Sequence, residues 1–210
     1  MSVTRPGLPL GPGVRLRTPA EVVDHLGASG QTGIVDGTEI HVRRPAAGRK
    51  DRDTFISGKN KQNAVKIMVL TDRNGRVLFC GPARPGSCAD IAYARQSGLV
   101  KLLSDGPAVK LLADAGYQGL GAQTGGRVIT PPHRKFKKNA PEWYEEMYER
   151  QRKAHFSRRI RVEHGIAHLK NRRALARHLG HREHMSDTVQ AVAGLLSHRQ
   201  TTEPDPDRER

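Results

Sequence analysis

The chain changes its hydrophobic period as it runs. In "TGIVDGTEIHV" (32–42) the alternate positions Ile34, Asp36, Thr38, Ile40 and Val42 fall on one side of an extended backbone, which predicts a strand. "NAVKIMVLTDRNGRVLFCGP" (63–82) is two apolar, β-rich runs joined by a loop ending in Asn74-Gly75, the signature of a hairpin. "DIAYARQSGLVKLL" (90–103) reads as a helix with Ile91, Ala94, Leu99, Leu102 and Leu103 inward and a break at Gly98. "VKLLADAGYQG" (109–119) is a strand ending at Asp114, and "GRVITPP" (126–132) is a shorter one stopped by prolines.

Beyond residue 140 the period becomes helical. Residues 140–179 hold no proline after Pro141, and Ile160, Val162, Ile166 and Leu169 are the positions expected to dock this stretch on the core. "SDTVQAVAGLLSHR" (186–199) predicts a closing helix with Val189, Val192, Leu195 and Leu196 inward. Near the start, "TPAEVVDHLG" (18–27) predicts a short helix: Thr18 caps it, Pro19 opens it, Glu21 completes a capping box and Gly27 stops it.

The order is strand, hairpin, helix, two strands, then helices. It predicts an α/β fold, a mixed sheet of about five strands flanked by helices. Three prolines and three glycines in "RPGLPLGPG" (5–13) leave no regular element there, so residues 1–31 read as a partly disordered leader. Residues 32–200 form the folded domain, and "TTEPDPDRER" (201–210) is expected to be a disordered polar tail.

Composition narrows the function. Lys and Arg number 36 against 21 Asp and Glu, a formal charge of +15, which favours a polyanionic partner such as nucleic acid. Only 4% of residues are aromatic, which counts against a single-strand binder built on stacked bases. No run approaches the roughly 18 apolar residues of a membrane span, and no secretory signal opens the chain. Cys80 and Cys88 lack CxxC spacing, so neither a zinc site nor a disulfide framework follows, and a cytoplasmic location is expected.

Three acids stand out. Asp36 interrupts the apolar side of its strand, where an isolated carboxylate needs a partner, a metal or a wet cleft. Asp114 ends an apolar strand, the end at which open α/β sheets gather their functional groups. Glu163 is the one acid among six Lys and Arg in "SRRIRVEHGIAHLKNRR" (157–173). Carboxylates on three separate elements can converge on a pair of Mg²⁺ or Mn²⁺ ions, the arrangement that serves phosphodiester chemistry. The plainer alternative makes Asp36 and Asp114 turn acceptors and Glu163 a counter-ion to arginines.

Five motifs in order, "VDGTEIHVRRP", "FISGKNKQNAVK", "PGSCADI", "LADAGYQG" and "RRIRVEHGIAHLKN", resemble those of the DDE-type transposases of bacterial insertion sequences, in the branch related to Harbinger-like elements. The resemblance runs from about residue 32 to 197. It implies an RNase H-like core, two divalent metal ions (Mg²⁺, or Mn²⁺) on Asp36, Asp114 and Glu163, and cleavage of double-stranded DNA at the element's ends with joining of the freed 3′-OH to a target strand. It also implies residence on nucleoid DNA.

The last helix is similar to that family's Tyr-x2-Arg-x3-Glu-x6-Lys signature, here Phe156, Arg159, Glu163 and Lys170 with the tyrosine missing. Offsets of 3, 7 and 14 residues put all four on one helical stripe. There Arg159 and Lys170 would hold DNA phosphates on either side of Glu163. Lys59 and Lys61 are further phosphate candidates, with a solvated loop as the equal alternative. Asp90 reads as an N-cap for the helix that follows it, ahead of a fourth metal ligand. His164 and His168 are spaced i,i+4 but belong to no HExxH motif, and His178, His181 and His184 read as a basic surface.

Relatives of this kind carry an N-terminal helix-turn-helix module, and no two-helix pattern precedes Asp36 here. The chain therefore reads as a catalytic half, with three alternatives open: the second frame of a two-frame transposase, partnered by an upstream-frame N-terminal half, a truncated element, or a gene read from an internal start. A homodimer on DNA is the further partner to test. Two rivals stand beside that reading: a host-adopted endonuclease that cuts without joining, and an inactive basic DNA-binding remnant.

Overall fold

Alternation in the first strand decides what each side of the sheet carries. A computed structural model describes residues 16–48, 50–134, 141–176, 178 and 182–202, with the side chains of 197–202 left aside. Strand β1 (Gly33–His41) pairs antiparallel with β2 (Ala64–Thr71), and β2 pairs with β3 (Val77–Cys80) and with the short β4 (Arg84–Pro85). On its other edge β1 pairs in parallel with β5 (Leu111–Leu112), and β5 with β6 (Val128–Ile129). The mixed six-stranded sheet has the order β3-β2-β1-β5-β6. It is the predicted sheet with one two-residue strand added.

Helices α1 (Pro19–Ser29), α2 (Asp90–Gln96) and α3 (Leu99–Asp105) cover one face, burying Val22, Leu26, Tyr93 and Leu103 against Val35, Met68 and Leu70. The long α5 (Glu142–Lys170) and α7 (Met185–Thr202) cover the other, burying Leu169, Met185 and Val189 against Ile40, Val65 and Ile67. Short helices α4 (Leu120–Gln123) and α6 (Arg173–Ala176) fill in between. Burial of each such leucine contributes about 1.5–3 kcal/mol. Asp36 belongs to the α5 face: its strand neighbour Ile34 packs on Val162 of that helix.

The local expectations meet the structure unevenly. Gly98 breaks the predicted helix with a positive φ of 76°, giving α2 and α3 as separate elements. Thr18 caps α1 as read, its hydroxyl accepting from the Glu21 N–H at 3.2 Å, and the Glu21 carboxylate accepts from the Arg17 N–H at 2.6 Å. The helix does not stop at Gly27. It continues to Ser29 and ends on Gly30 in the left-handed region. Gly27 serves packing instead, since a Cβ there would lie 2.8 Å from the Pro107 ring. This helix falls within the stretch read as leader, yet Val22, Val23 and Leu26 belong to the core.

Two inward assignments are corrected. Ile160 is 51% exposed and Leu195 68% exposed. The buried stripe of α5 is His155, Arg159, Val162, Gly165 and Leu169, whose first half is polar because it faces a cleft rather than an oily core. The stretch predicted as one helix to 179 breaks after Lys170 at Asn171, and α6 turns Leu175 back into the core. The leader at 5–13, His181 and tail residues 203–210 lie outside the described residues.

Gly165 lets the turn after β2 press on α5. A Cβ there would stand 2.5 Å from the Gly75 carbonyl oxygen, a backbone atom with little room to give. Gly165→Ala is expected to lower the unfolding free energy by about 1–3 kcal/mol despite alanine's better helix propensity, as overpacking does. Urea denaturation of both proteins checks it; equal midpoints would contradict the close contact.

Candidate active site

Asp36 and Asp114 are brought to one end of the β1–β5 edge by the sheet itself. Ile34 pairs with Leu112 as the last register pair of that parallel edge, so Asp36, two places on in β1, and Asp114, two places past the end of β5, both follow the point where the strands part. Asp114 there accepts the Gly116 N–H on Oδ1 at 2.9 Å, and Asp36 accepts the Gly37 N–H on Oδ1 at 2.8 Å. Asp114 is thus the turn acceptor of the plainer alternative, whereas Asp36 accepts from the next residue of its own strand, inside β1, and caps no turn.

Asp36 uses its second oxygen on a cation. Arg159, one turn before Glu163 on α5, donates from Nη2 to Asp36 Oδ2 at 2.9 Å, and only 6% of its side chain and 16% of the Asp36 side chain reach solvent. Burial pushes the Asp36 carboxyl up to about 6; Arg159 opposes that rise, while Asp114 and Asp90 add to it by charge repulsion. Arg159 was expected to reach toward phosphate, and here its guanidinium is held on Asp36.

Glu163 is exposed on α5 and lines the same cleft as Asp36 and Asp114, together with Phe156, Arg159 and Lys170. The stripe expected from offsets of 3, 7 and 14 therefore faces one space. That space is open, about 1050 Å³, and lined by charge from the sheet, α2 and α5. His155 ties α5 to the strand end: its Nε2–H donates to the Ala113 carbonyl at 2.8 Å, one residue before Asp114. Burial lowers the His155 pKa, and the carbonyl acceptor requires the proton to be on Nε2.

Sequence reasoning missed a half-buried charge pair beside the acids. Asp90 is not the N-cap it was read as. Ala89 holds that position, and no side chain caps the helix. The Asp90 carboxylate instead takes Lys66 of β2 at 3.1 Å, and Lys66 also stands 4.0 Å from Glu39. Asp90 fits because two glycines make room. A Cβ on Gly37 would overlap Asp90 Oδ1, and a Cβ on Gly116 would stand 2.8 Å from Asp90 Oδ2 and 3.1 Å from Asp114 Oδ1. The available signal was Lys66 itself, a lysine inside the unbroken apolar run "NAVKIMVLT". Tyr117 was missed as well. Its hydroxyl is buried with no hydrogen-bond partner among the described residues, and burial plus the charges of Asp90, Asp36 and Asp114 push its pKa well above the usual value.

The lysines divide. Lys59 lines the cleft on a loop pinned by Ser57, whose hydroxyl accepts the Lys59 N–H at 3.1 Å and donates to Glu39 Oε2 at 2.7 Å. Lys61 is exposed, at a positive φ of 55°, and is not part of the cleft lining. Lys170 lines the cleft at the C-terminal end of α5, where the helix dipole favours a cation. His164 and His168 are both exposed, and Cys80 and Cys88 are free thiols.

Among the described residues no three His, Cys, Asp or Glu side chains are gathered closely enough to hold a metal ion as they stand. The donor chemistry nonetheless suits a hard divalent cation: carboxylates line one cleft, burial and then repulsion from Asp114 and Asp90 lift Asp36, and a cationic guanidinium already sits on Asp36. The arrangement can accept positive charge at Asp36 and Asp114 and bind phosphate along α5.

Residues 35–197 match a family model described as DDE superfamily endonuclease. No curated protein and no solved structure matches the chain significantly. Among the described residues no helix is long and apolar enough to cross a membrane.

Proposed function

Because the chain belongs to the DDE superfamily of endonucleases, we propose that this cleft cuts double-stranded DNA at the ends of an insertion sequence and joins the freed 3′-OH to a target strand. One observation carries the reading. Three acids from three separate elements, Asp36 on β1, Asp114 after β5 and Glu163 on α5, line one cleft with Lys59 and Lys170 at its walls. Asp36, Asp114 and Glu163 would hold two Mg²⁺ or Mn²⁺ ions. Such a pair, when bound, activates the attacking oxygen and stabilises the leaving one.

The chain's own residues do the rest. Arg159 holds the Asp36 carboxylate oriented and offsets its repulsion with Asp114 and Asp90. His155 fixes α5, and Glu163 with it, against the strand end that carries Asp114. Lys59 and Lys170 take backbone phosphates as point charges, and Lys61 extends that contact outside the cleft. The expected site of action is nucleoid DNA in the cytoplasm. Incubation of the full chain with a labelled duplex ending in the element's terminal repeat, a target plasmid and Mn²⁺ tests the joining step. Plasmid-linked label is expected, and cut duplex without linked label would reduce the activity to cleavage alone.

Acid should switch the enzyme off earlier than an ordinary aspartate would. Asp36 must be ionised to accept a cation, and its pKa lies near 6 instead of 3.8. Nicking should fall as pH drops through about 6, and Arg159→Gln should move that limb upward because Arg159 opposes the rise. A limb near 4 in both proteins would contradict this. Lys170→Ala should weaken duplex binding and make its salt dependence shallower by about 0.9 in log–log slope, one phosphate's worth. An unchanged slope would remove Lys170 from the DNA contact.

A further inference from the structure

A second groove lies on the other side of α5 from the carboxylates. It has a volume of about 580 Å³ and gathers Arg73 from the turn after β2 with Arg158 and Arg161 of α5. No acid lines it. Among the described residues none of the three arginines has an ion pair, unlike Arg159, Arg152 and Arg134 elsewhere on the chain. Three guanidinium groups without a counter-ion repel one another, and an anion seated among them relieves that repulsion.

The groove is built on a fixed support. The turn that carries Arg73 is pinned by Asp72, whose Oδ1 accepts the Asn74 N–H at 2.8 Å and the Arg76 N–H at 2.9 Å. That turn is pressed onto α5 through two glycines. A Cβ on Gly75 would overlap the Arg161 carbonyl, and a Cβ on Gly165 would overlap the Gly75 carbonyl. Gly75 also has a φ of +85°, which favours glycine there independently. Arg73 is therefore held beside Arg158 and Arg161. Thr32 adds a hydroxyl and Gln31 an amide to the walls, while the Ser29 and Ser157 hydroxyls there donate to the helix carbonyls of His25 and Ala154. Three forked guanidinium donors, one threonine hydroxyl and no acid match phosphate oxygens.

The two binding faces of α5 point apart. At about 100° per residue, Arg158 stands about 100° and Arg161 about 160° round the helix from Arg159. A helix with its side chains is about 10–12 Å thick, so a straight duplex lying in the cleft cannot reach behind it.

We propose that the groove of Arg73, Arg158 and Arg161 binds the phosphate backbone of a second DNA segment, separate from the one presented to Asp36, Asp114 and Glu163. The proposal rests on the DNA-cutting reading only for the identity of the polyanion.

Titration of the full chain with a duplex of about one turn, roughly 10 bp, counts the segments directly. The parent should bind two short duplexes per chain. The Arg158→Gln/Arg161→Gln variant should bind one. All three arginines are exposed, so unfolding midpoints should match the parent; Arg73→Gln, on a different element, should give the same loss. One duplex per parent chain would overturn the proposal, as would two per chain in all the variants. Inorganic phosphate that binds the parent and not the variants, while the parent takes only one duplex, would make the groove a free-anion site and also overturn it. Nicking of plasmid is scored separately. Its absence alongside a two-to-one stoichiometry would defeat the cutting reading and leave the groove standing.

Discussion

Asp114→Asn should abolish divalent-metal-dependent nicking while the protein still binds DNA. The substitution keeps the shape and the Asp114 oxygen that accepts the Gly116 N–H at 2.9 Å, so the turn after β5 survives. It removes one negative charge just past the point where β1 and β5 part. Loss of residues that merely support a metal ligand costs about 10–100-fold, and loss of a ligand should cost at least the upper end of that range. DNA affinity rests on the surplus of 36 basic over 21 acidic residues, which the change leaves intact and slightly enlarges. Nicking and fluorescence anisotropy on the same preparation separate the two effects. Parallel losses in both would mean that Asp114 is structural.

Arg159→Ala should be the most destabilising change at the site, and more so at alkaline pH. It leaves the Asp36 carboxylate buried without its cation, a situation that costs about 3–5 kcal/mol. The sign of the pH dependence follows from the raised pKa. Folded Asp36 holds its proton up to about 6 against 3.8 in the unfolded chain. Its contribution to stability is therefore fully present below 3.8 and is lost as pH rises through 6. Without Arg159 the folded value climbs further, so a protonated, neutral Asp36 persists to higher pH. The variant should lose most stability near pH 8 and recover part of it near pH 5. Urea midpoints of the metal-free protein at both values read this, and an equal loss at both would show that the pair contributes by packing alone.

Much of the frame was legible because it rests on short-range rules. Period-two alternation located β1, Asn74-Gly75 located the hairpin, and Gly98 located the break between α2 and α3. Asp36 stood out because a carboxylate interrupts the apolar side of its strand, Asp114 because it ends an apolar strand, and Glu163 because it is the one acid in a basic stretch. What sequence could not supply was pairing at a distance. Arg159 meets Asp36 across 123 positions, and His155 meets Ala113 across 42. Neither partner announces the other.

The misplaced residues have the same cause. Ile160 looked inward because apolar positions usually are, but the inner stripe of α5 is set by the charged cleft it covers, and that stripe passes through Arg159. Asp90 stood where an N-cap could stand, yet its environment is decided by Lys66 on a strand and by the bare backbone at Gly37 and Gly116. A lysine in an apolar strand and glycines beside two acids are visible beforehand only as anomalies.

We propose this cleft as a divalent-cation-dependent DNA-cutting centre. Supercoiled plasmid incubated with the full chain in Mg²⁺, in Mn²⁺ and in EDTA tests it most directly. Open-circle DNA should form with either metal and not in EDTA. Plasmid that stays supercoiled in all three, or is nicked equally in EDTA, would show that the cleft is not such a centre.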